Sequence, residues 1–358
     1  LKQINLFFKK QNMKKKSLNV SKSHKFFLNH LNNRKINKLF KKFKTYLDKN
    51  IYNETKIAVA VSGGPDSLAL VYLTKCYLLK NKLKGKFFLV DHKLRKESTK
   101  ENKLIKSLLK KLNIDCNILT WKGSKPKSNI QGVARNNRYK LLKKACKKNG
   151  INYLLIGHHI DDIYENFFIR LLRGSGLKGL SSFGEPILEV SDISILRPMV
   201  NFEKKQLVFI SKKVFNFFIE DPANQNMYFQ RTRVRNLILN LKKDGLDKKK
   251  LNLTIQNLKS ANNTINFYVN KNIKNNSKYI KKNNTYLLNK YFFNQGEEVV
   301  FRSIAIVLRL VSGRYYMPRG KSILNLLNKI NTRNFDKLTL GGCYIEKINE
   351  TFIINKEN

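Results

Sequence analysis

Six residues, Ser62-Gly63-Gly64-Pro65-Asp66-Ser67, follow the apolar run Ile57–Val61 and lead into the amphipathic stretch Ser67–Leu79. A strand, a glycine turn and a helix start in that order make a place for an anion. Gly63 and Gly64 let the backbone come close to a phosphate, Pro65 suits the first helical position, and the helix N-terminus turns free N–H donors outward. The loop is not of the Walker type, because it holds no lysine to reach a β- or γ-phosphate. A plain tight turn between strand and helix is the alternative.

A second polar segment, Gly157-His158-His159-Ile160-Asp161-Asp162, also stands between an apolar run and a helix. The positive end of that helix favours Asp161 and Asp162, which could act as caps and no more. A zinc site built from His158, His159 and the aspartates is disfavoured, since the HExxH spacing is missing. His92, after Phe87–Val90, is open between a site role and a satisfied buried hydrogen bond. Arg231, Arg233 and Arg235 suit phosphate, which guanidinium pairs bidentately, and can stack on unpaired bases. Tyr228 and Phe229 beside them offer a stacking surface or core packing.

Positioning these groups requires a scaffold. Ile57–Val61, Phe87–Val90, Cys116–Trp121 and Tyr153–Ile156 have the character of buried parallel strands. Helical spacing fills Ser67–Leu79, Ser98–Leu112 and Gln131–Lys148, and another helix starts at Asp161. The repeat implies an open α/β sheet with right-handed crossovers, and ligands of such sheets bind at the carboxyl ends of the strands. Those ends carry Ser62 to Ser67, Asp91 with His92, Trp121, and Gly157 to Asp162. After Leu196-Arg197-Pro198 the pattern turns helical and basic, then becomes a small α+β domain in which Leu338–Ile348 and Thr351–Asn355 form a terminal hairpin. The expected segments are a partly disordered basic extension over 1–50, a catalytic domain over 51–200, a helical linker over 201–250 and an α+β domain over 251–358. Residues 1 to 25 are expected to be poorly ordered.

The 358 residues carry 72 Lys and Arg against 24 Asp and Glu, a formal charge of +48. That surplus favours a polyanion through counterion release, although an AT-rich coding sequence would also enrich Lys. Four separated cysteines form no CxxC pair, which fits a reduced cytoplasm and suggests neither a zinc ribbon nor a cluster. No uncharged apolar run approaches the roughly 18 residues that span a bilayer. Leu1 in place of Met suggests an unusual or upstream start, with Met13 an alternative beginning.

The glycine loop matches SGGxDS, the signature of PP-loop enzymes that cleave ATP to AMP and pyrophosphate. That superfamily includes GMP, NAD, asparagine and argininosuccinate synthetases and several tRNA thiolases. Further segments resemble the tRNA(Ile)-lysidine synthetase family in order. These are Val90 to Arg95, Asn129 to Tyr139, and GHHxDDxxE with RLxRGSGxxGL from Gly157 through Glu165 and Arg170 to Leu180. Leu196-Arg197-Pro198, Glu220 to Asn224 and the RxxxR spacing of Arg231 and Arg235 follow, and Thr339 to Cys343 resembles the closing hairpin of some bacterial members. Ile163, Asn166 and Ala223 depart from the family's Gln, Thr and Ser, and none of them removes a charge.

The resemblance implies that ATP adenylates the C2 oxygen of the wobble cytidine of a CAU-anticodon tRNA(Ile), and that L-lysine then displaces AMP. Ser62, Gly63, Gly64 and Ser67 would cradle phosphate. Asp66 would serve Mg2+ or orient the loop, since a carboxylate beside phosphate needs an intervening cation. Asp162 would face the lysine amine or a metal, and His158 would stabilise phosphate charge or assist proton transfer. Arg135, Arg138, Arg170 and Arg173 would include nucleotide or tRNA contacts, with solvated helix residues the alternative. A homodimer is compatible with the sequence, which does not fix the oligomeric state. The rivals are a cytidine thiolase, which needs paired cysteines, a small-molecule amidotransferase or NAD synthetase, and a catalytically silent RNA-binding protein.

Overall fold

The computed structural model describes residues 19–52, 56–94, 97–123, 130–181, 193–221, 226–314, 317–330, 332 and 335–357. The chain divides into two compact units, one of residues 1–175 and 182–247, the other of Gly176–Ser181 and residues 248–358. This division differs from the four segments expected: the residues of 1–50 that are described, the parallel sheet and the helices up to 247 belong together.

The first unit is built on five parallel strands, β1 (Lys56–Val61), β2 (Lys84–Asp91), β3 (Cys116–Thr120), β4 (Tyr153–Leu155) and β5 (Ser194–Leu196), in the order β3-β2-β1-β4-β5. The four expected strands are all present. The fifth has only three residues, too few to show a period. Strand order reverses between β1 and β4, and the crevice beyond their carboxyl ends is the topological switch point, where open sheets bind ligands. The glycine loop and the His-His-Asp-Asp turn, far apart in sequence, therefore meet there.

Helix α3 (Pro65–Asn81) starts with proline and ends at Lys82, whose φ of 54° stops the helix. It is buried almost all round, as befits a helix enclosed by others. Its cover includes α1 (Val20–Asn29) and α2 (Arg34–Asn50), which with Leu31 of the turn between them add Phe27, Ile36, Leu39, Phe40, Phe43 and Leu47 to the main core. Residues 20 to 25 thus lie in a packed helix, against the expectation of poor order, because apolar side chains three to five apart outweigh the lysines between them. Residues 1–18 lie outside the described part. Helices α4 (Ser98–Lys111), α5 (Ile130–Lys148) and α6 (Ile160–Leu171) follow β2, β3 and β4. Within the second unit α7 (Leu177–Ser181) packs on α10, and α8 (Lys204–Phe215) and α9 (Gln230–Lys243) complete the first unit.

The second unit has the long α10 (Lys248–Asn276), α11 (Glu297–Ser312) and α12 (Gly320–Ile330) beside an antiparallel sheet of order β6-β7-β10-β9-β8. Its strands are β6 (Ser277–Ile280), β7 (Thr285–Leu288), β8 (Lys337–Leu340), β9 (Cys343–Ile348) and β10 (Thr351–Lys356). The expected strand Leu338–Ile348 is two strands. Gly341 and Gly342 take φ of +67° and +81°, and the chain turns there. The expected turn at Asn349-Glu350 does join β9 to β10.

Candidate active site

The loop after β1 is braced from inside. The Ser67 hydroxyl accepts from Ser62 N–H at 3.1 Å and donates to Gly64 C=O at 2.9 Å, so this side chain shapes the cradle. Ile219 N–H donates to Gly63 C=O at 3.0 Å. The two glycines are glycines for different reasons. Gly63 has φ +80°, and a Cβ there would stand 2.8 Å from Ile105 Cγ1, so the fold itself excludes a side chain. Gly64 has φ −74°, which any residue adopts, and the nearest atoms to a Cβ are 3.9 Å away. Packing does not require glycine at 64. An anion seated on the backbone at the helix start would require it.

The turn after β4 faces this loop. Asp162 is buried, and its Oδ2 accepts from His159 N–H at 3.0 Å, the reach-back of a helix cap. Burial pushes its carboxyl up, but His159, His158, the His159 N–H and Arg231 outweigh that and hold it below the usual range. Buried His159 stands 3.7 Å from a carboxylate oxygen of each of Asp66, Asp161 and Asp162. His158 Nδ1 accepts from Arg197 Nε at 3.2 Å, which places the proton of a neutral ring on Nε2. Burial, partly offset by Asp162 and reinforced by Arg197, Arg135 and Arg231, pushes its pKa down to about 3. His158 is therefore a neutral donor at physiological pH.

Two groups that the sequence did not single out complete this rim. Buried Arg197 comes from the turn after β5, a noted motif to which no role was attached. Lys204 opens α8; its Nζ donates to both carboxylate oxygens of Asp66, at 2.8 and 2.6 Å, and its backbone N–H donates to Asp161 at 2.9 Å. Ser211, two turns on, donates to Pro65 C=O at 2.6 Å and anchors α8 on the start of α3.

The arginines separate by helix geometry. Arg231 and Arg235 share one face of α9, and Arg233 faces away. The Arg231 charge acts on His158, Asp162 and Arg138, which puts it in the crevice. Arg235 instead grips buried Glu165 with Nε at 2.6 Å and Nη2 at 3.3 Å, a partner within the chain that the sequence did not reveal. Burial raises the Glu165 carboxyl despite that pairing. Arg233 donates to the carbonyls of Met227 and Tyr228, so its guanidinium holds its own loop. Tyr228 is 90% exposed, which leaves it free to stack, and core packing is not its role. Arg173 bonds Gln230 at 2.6 Å at the surface. Arg135 lies over the Tyr139 ring at 5.1 Å. Arg138 has its pKa lowered by burial and by Arg135 and Arg231 against a contrary effect of Tyr139, yet reaches solvent, as a side chain in a cleft does.

At the β2 end, buried Asp91 accepts from Thr99, Lys93 N–H and Ser98 at 2.7 to 3.1 Å. These bonds overcome burial and hold its carboxyl low, a structural role. Among the described residues neither ring nitrogen of His92 has a hydrogen-bond partner, which differs from the satisfied buried histidine that the sequence allowed. Burial, then Arg138, against Asp91, push its pKa down to about 4. Among the described residues no group of three or more His, Cys, Asp or Glu forms a metal cage. That donor set fits a magnesium held by one or two carboxylates and by phosphates, and does not fit a tetrahedral zinc.

A phosphate cradle at the switch point of a parallel sheet, ringed by arginines, defines a nucleotide-binding α/β protein, and residues 28–242 match the family model described as the PP-loop domain. The chain is 33% identical over 319 residues to the tRNA(Ile)-lysidine synthase of Wolbachia pipientis wMel, covering 88% of this chain and 74% of the relative. It is 35% identical over 318 residues to the protein of the same name from Orientia tsutsugamushi (84% and 70%), and 32% over 325 residues to that from Rickettsia felis (89% and 74%). The chain belongs to the tRNA(Ile)-lysidine synthase family of ligases. Among solved structures, the U34-tRNA thiolase NcsA from Methanococcus maripaludis shares the fold, with TM-score 0.51 and 19% identity over 59% of this chain and 74% of that one.

Proposed function

We propose that this ligase joins L-lysine to C2 of the wobble cytidine of a CAU-anticodon tRNA(Ile) in two steps at the switch-point crevice. The observation that carries the proposal is the pairing of an anion cradle at Gly64 with a low-pKa carboxylate, Asp162, across the same crevice. In the first step the cytidine O2 attacks the α-phosphorus of ATP, and the bond to the bridging oxygen breaks to release pyrophosphate. Gly63, Gly64 and the first turn of α3 bind phosphate while Ser67 holds the loop's shape. Magnesium, held by Asp66 with Asp162 a second carboxylate in reach, would neutralise phosphate charge. Arg135, Arg138 and Arg231 attract the nucleotide and the anticodon phosphates, with Arg173 at the outer surface. His158, neutral and oriented by Arg197, donates from Nε2.

In the second step the lysine amine attacks C2, the C2–O bond breaks, AMP leaves and the nitrogen loses a proton. A carboxylate held below its usual range is a weak base and a good anchor for a cation. Asp162 accordingly holds the lysine and leaves the proton to another acceptor. Thiolation is the weaker reading: Cys76, Cys116, Cys146 and Cys343 are all free and buried, and burial pushes their thiols up to about 12, 12, 12 and 11. Buried free thiols also fit action in a reducing cytoplasm. No described helix is long and apolar enough to cross a membrane.

Pyrophosphate release tests the first step. It is expected to require ATP and tRNA but not lysine, and Asp162→Ala is expected to slow lysine transfer more than pyrophosphate release. Equal loss of both steps would move Asp162 to the metal. Unchanged rates and lysine dependence would reduce it to a helix cap.

A further inference from the structure

The glycine loop lacks the lysine with which other phosphate loops reach the β- and γ-phosphates. The fold brings an ammonium to the same place from 138 residues away. We propose that Lys204 is the phosphate-binding lysine of this site, held on Asp66 in the free protein and passed to the triphosphate when magnesium takes the carboxylate. The proposal rests on the reading that the loop binds ATP.

Three observations carry it. First, Lys204 has its place set by the scaffold. Its N–H is fixed to Asp161, the neighbouring Phe202 C=O accepts from Ile160 N–H at 3.0 Å, and Ser211 pins the same helix to Pro65. Second, its partner is the loop's own carboxylate, one residue past the helix's first position and two past Gly64, where a Cβ would meet no atom nearer than 3.9 Å. A group within 2.6 Å of Asp66 is within a side-chain rotation of an anion seated on Gly64. Third, the charge balance calls for it. Asp66, Asp161 and Asp162 surround His159, and three carboxylates repel a triphosphate unless cations stand among them. Lys204 is the cation on Asp66, and at 45% side-chain exposure it keeps the freedom to turn.

The experiment is nucleotide binding by calorimetry with the full chain, without tRNA, using MgATP and MgAMP as probes. Lys204→Ala is expected to weaken MgATP by about 10- to 100-fold, the worth of a hydrogen bond between charged groups. MgAMP, which lacks the β- and γ-phosphates, is expected to change by less than about 3-fold, and Lys204→Arg should restore part of the ATP affinity. Lys204→Gln, which keeps the stem, covers an Ala variant that folds poorly. Equal weakening of ATP and AMP, or a lowered unfolding midpoint with ATP affinity intact, would make Lys204 a structural partner of Asp66 and overturn the proposal. Failure of the wild-type protein to bind MgATP would instead remove the nucleotide assignment of the loop, and this one with it.

Discussion

Two buried arginines, one in each unit, are held in opposite ways. In the second unit Arg302 has Glu298 at 2.7 Å, Asn262 at 2.6 Å and Asn266 at 3.1 Å, and among the described residues its Nη2 has no partner. In the first unit Arg197 donates to a histidine and lies within the field of Arg135, with Arg138 and Arg231 in the same crevice. The first is held by a carboxylate and two amide oxygens of its own unit. The second gathers Arg197, Arg135, Arg138 and Arg231 on one side of the crevice, and such a cluster would attract an anion. A buried guanidinium held by oxygen acceptors of its own unit reads as structure, and one set among other cations at a strand end reads as function.

The contrast can be broken at its strongest point. Asp66→Asn is expected to cut pyrophosphate release by about 100-fold or more, because metal-directed charge is worth several kcal/mol in the transition state. Its unfolding midpoint in urea should stay near wild type, since the Lys204 pair is partly exposed. An unchanged rate at saturating ATP and magnesium would remove Asp66 from the chemistry. Arg302→Leu should do the reverse. Leaving buried Asn262 and half-buried Asn266 without their donor is expected to cost about 2–3 kcal/mol of stability with nucleotide binding intact.

The two glycines make the same contrast within one loop. Gly63→Ala, at positive φ and against Ile105, is expected to lose about 1–3 kcal/mol of stability. Gly64→Ala should keep its stability and lose ATP affinity, and a Gly64→Ala protein with wild-type affinity would take the phosphate away from this turn. On α9, Arg231→Ala is expected to lower the log–log salt slope of tRNA binding by about 0.7. Arg235→Ala should instead lower the unfolding midpoint, since it strands the buried Glu165 carboxylate.

The histidines of the first unit add a pH dependence. His158 and His92 have pKa values near 3 and 4 in the folded chain against an ordinary 6.5. Between those values the unfolded chain binds protons that the folded one does not. Their contribution to stability is full above about 6.5 and is lost as pH falls through that value toward 4. Urea midpoints at pH 7 and pH 5 should differ in that direction, and less so in His158→Gln.

Much of this site was legible in the sequence, because its parts are compact motifs: the loop after β1 and the turn after β4 at strand ends, and the RxxxR spacing on α9. Residues whose role is made by a neighbour were not. Lys204 is one of many lysines in the chain, and only the lacing of α8 to α3 and α6 brings it to Asp66. Arg235 has the same spacing signal as Arg231, and only Glu165 one helix away tells them apart. In the fold, β5 was too short for a period, and the split of Leu338–Ile348 rests on two glycines within an otherwise continuous pattern.

The central claim is that this crevice transfers lysine to cytidine, and mass analysis of the nucleosides tests it most directly. Unmodified CAU-anticodon tRNA(Ile) is incubated with the protein, ATP, magnesium and lysine, then digested. A nucleoside heavier than cytidine by one condensed lysine, formed only with both ATP and lysine, is the predicted product. Unchanged cytidine despite ATP and tRNA binding, or a product gained without lysine, would contradict it.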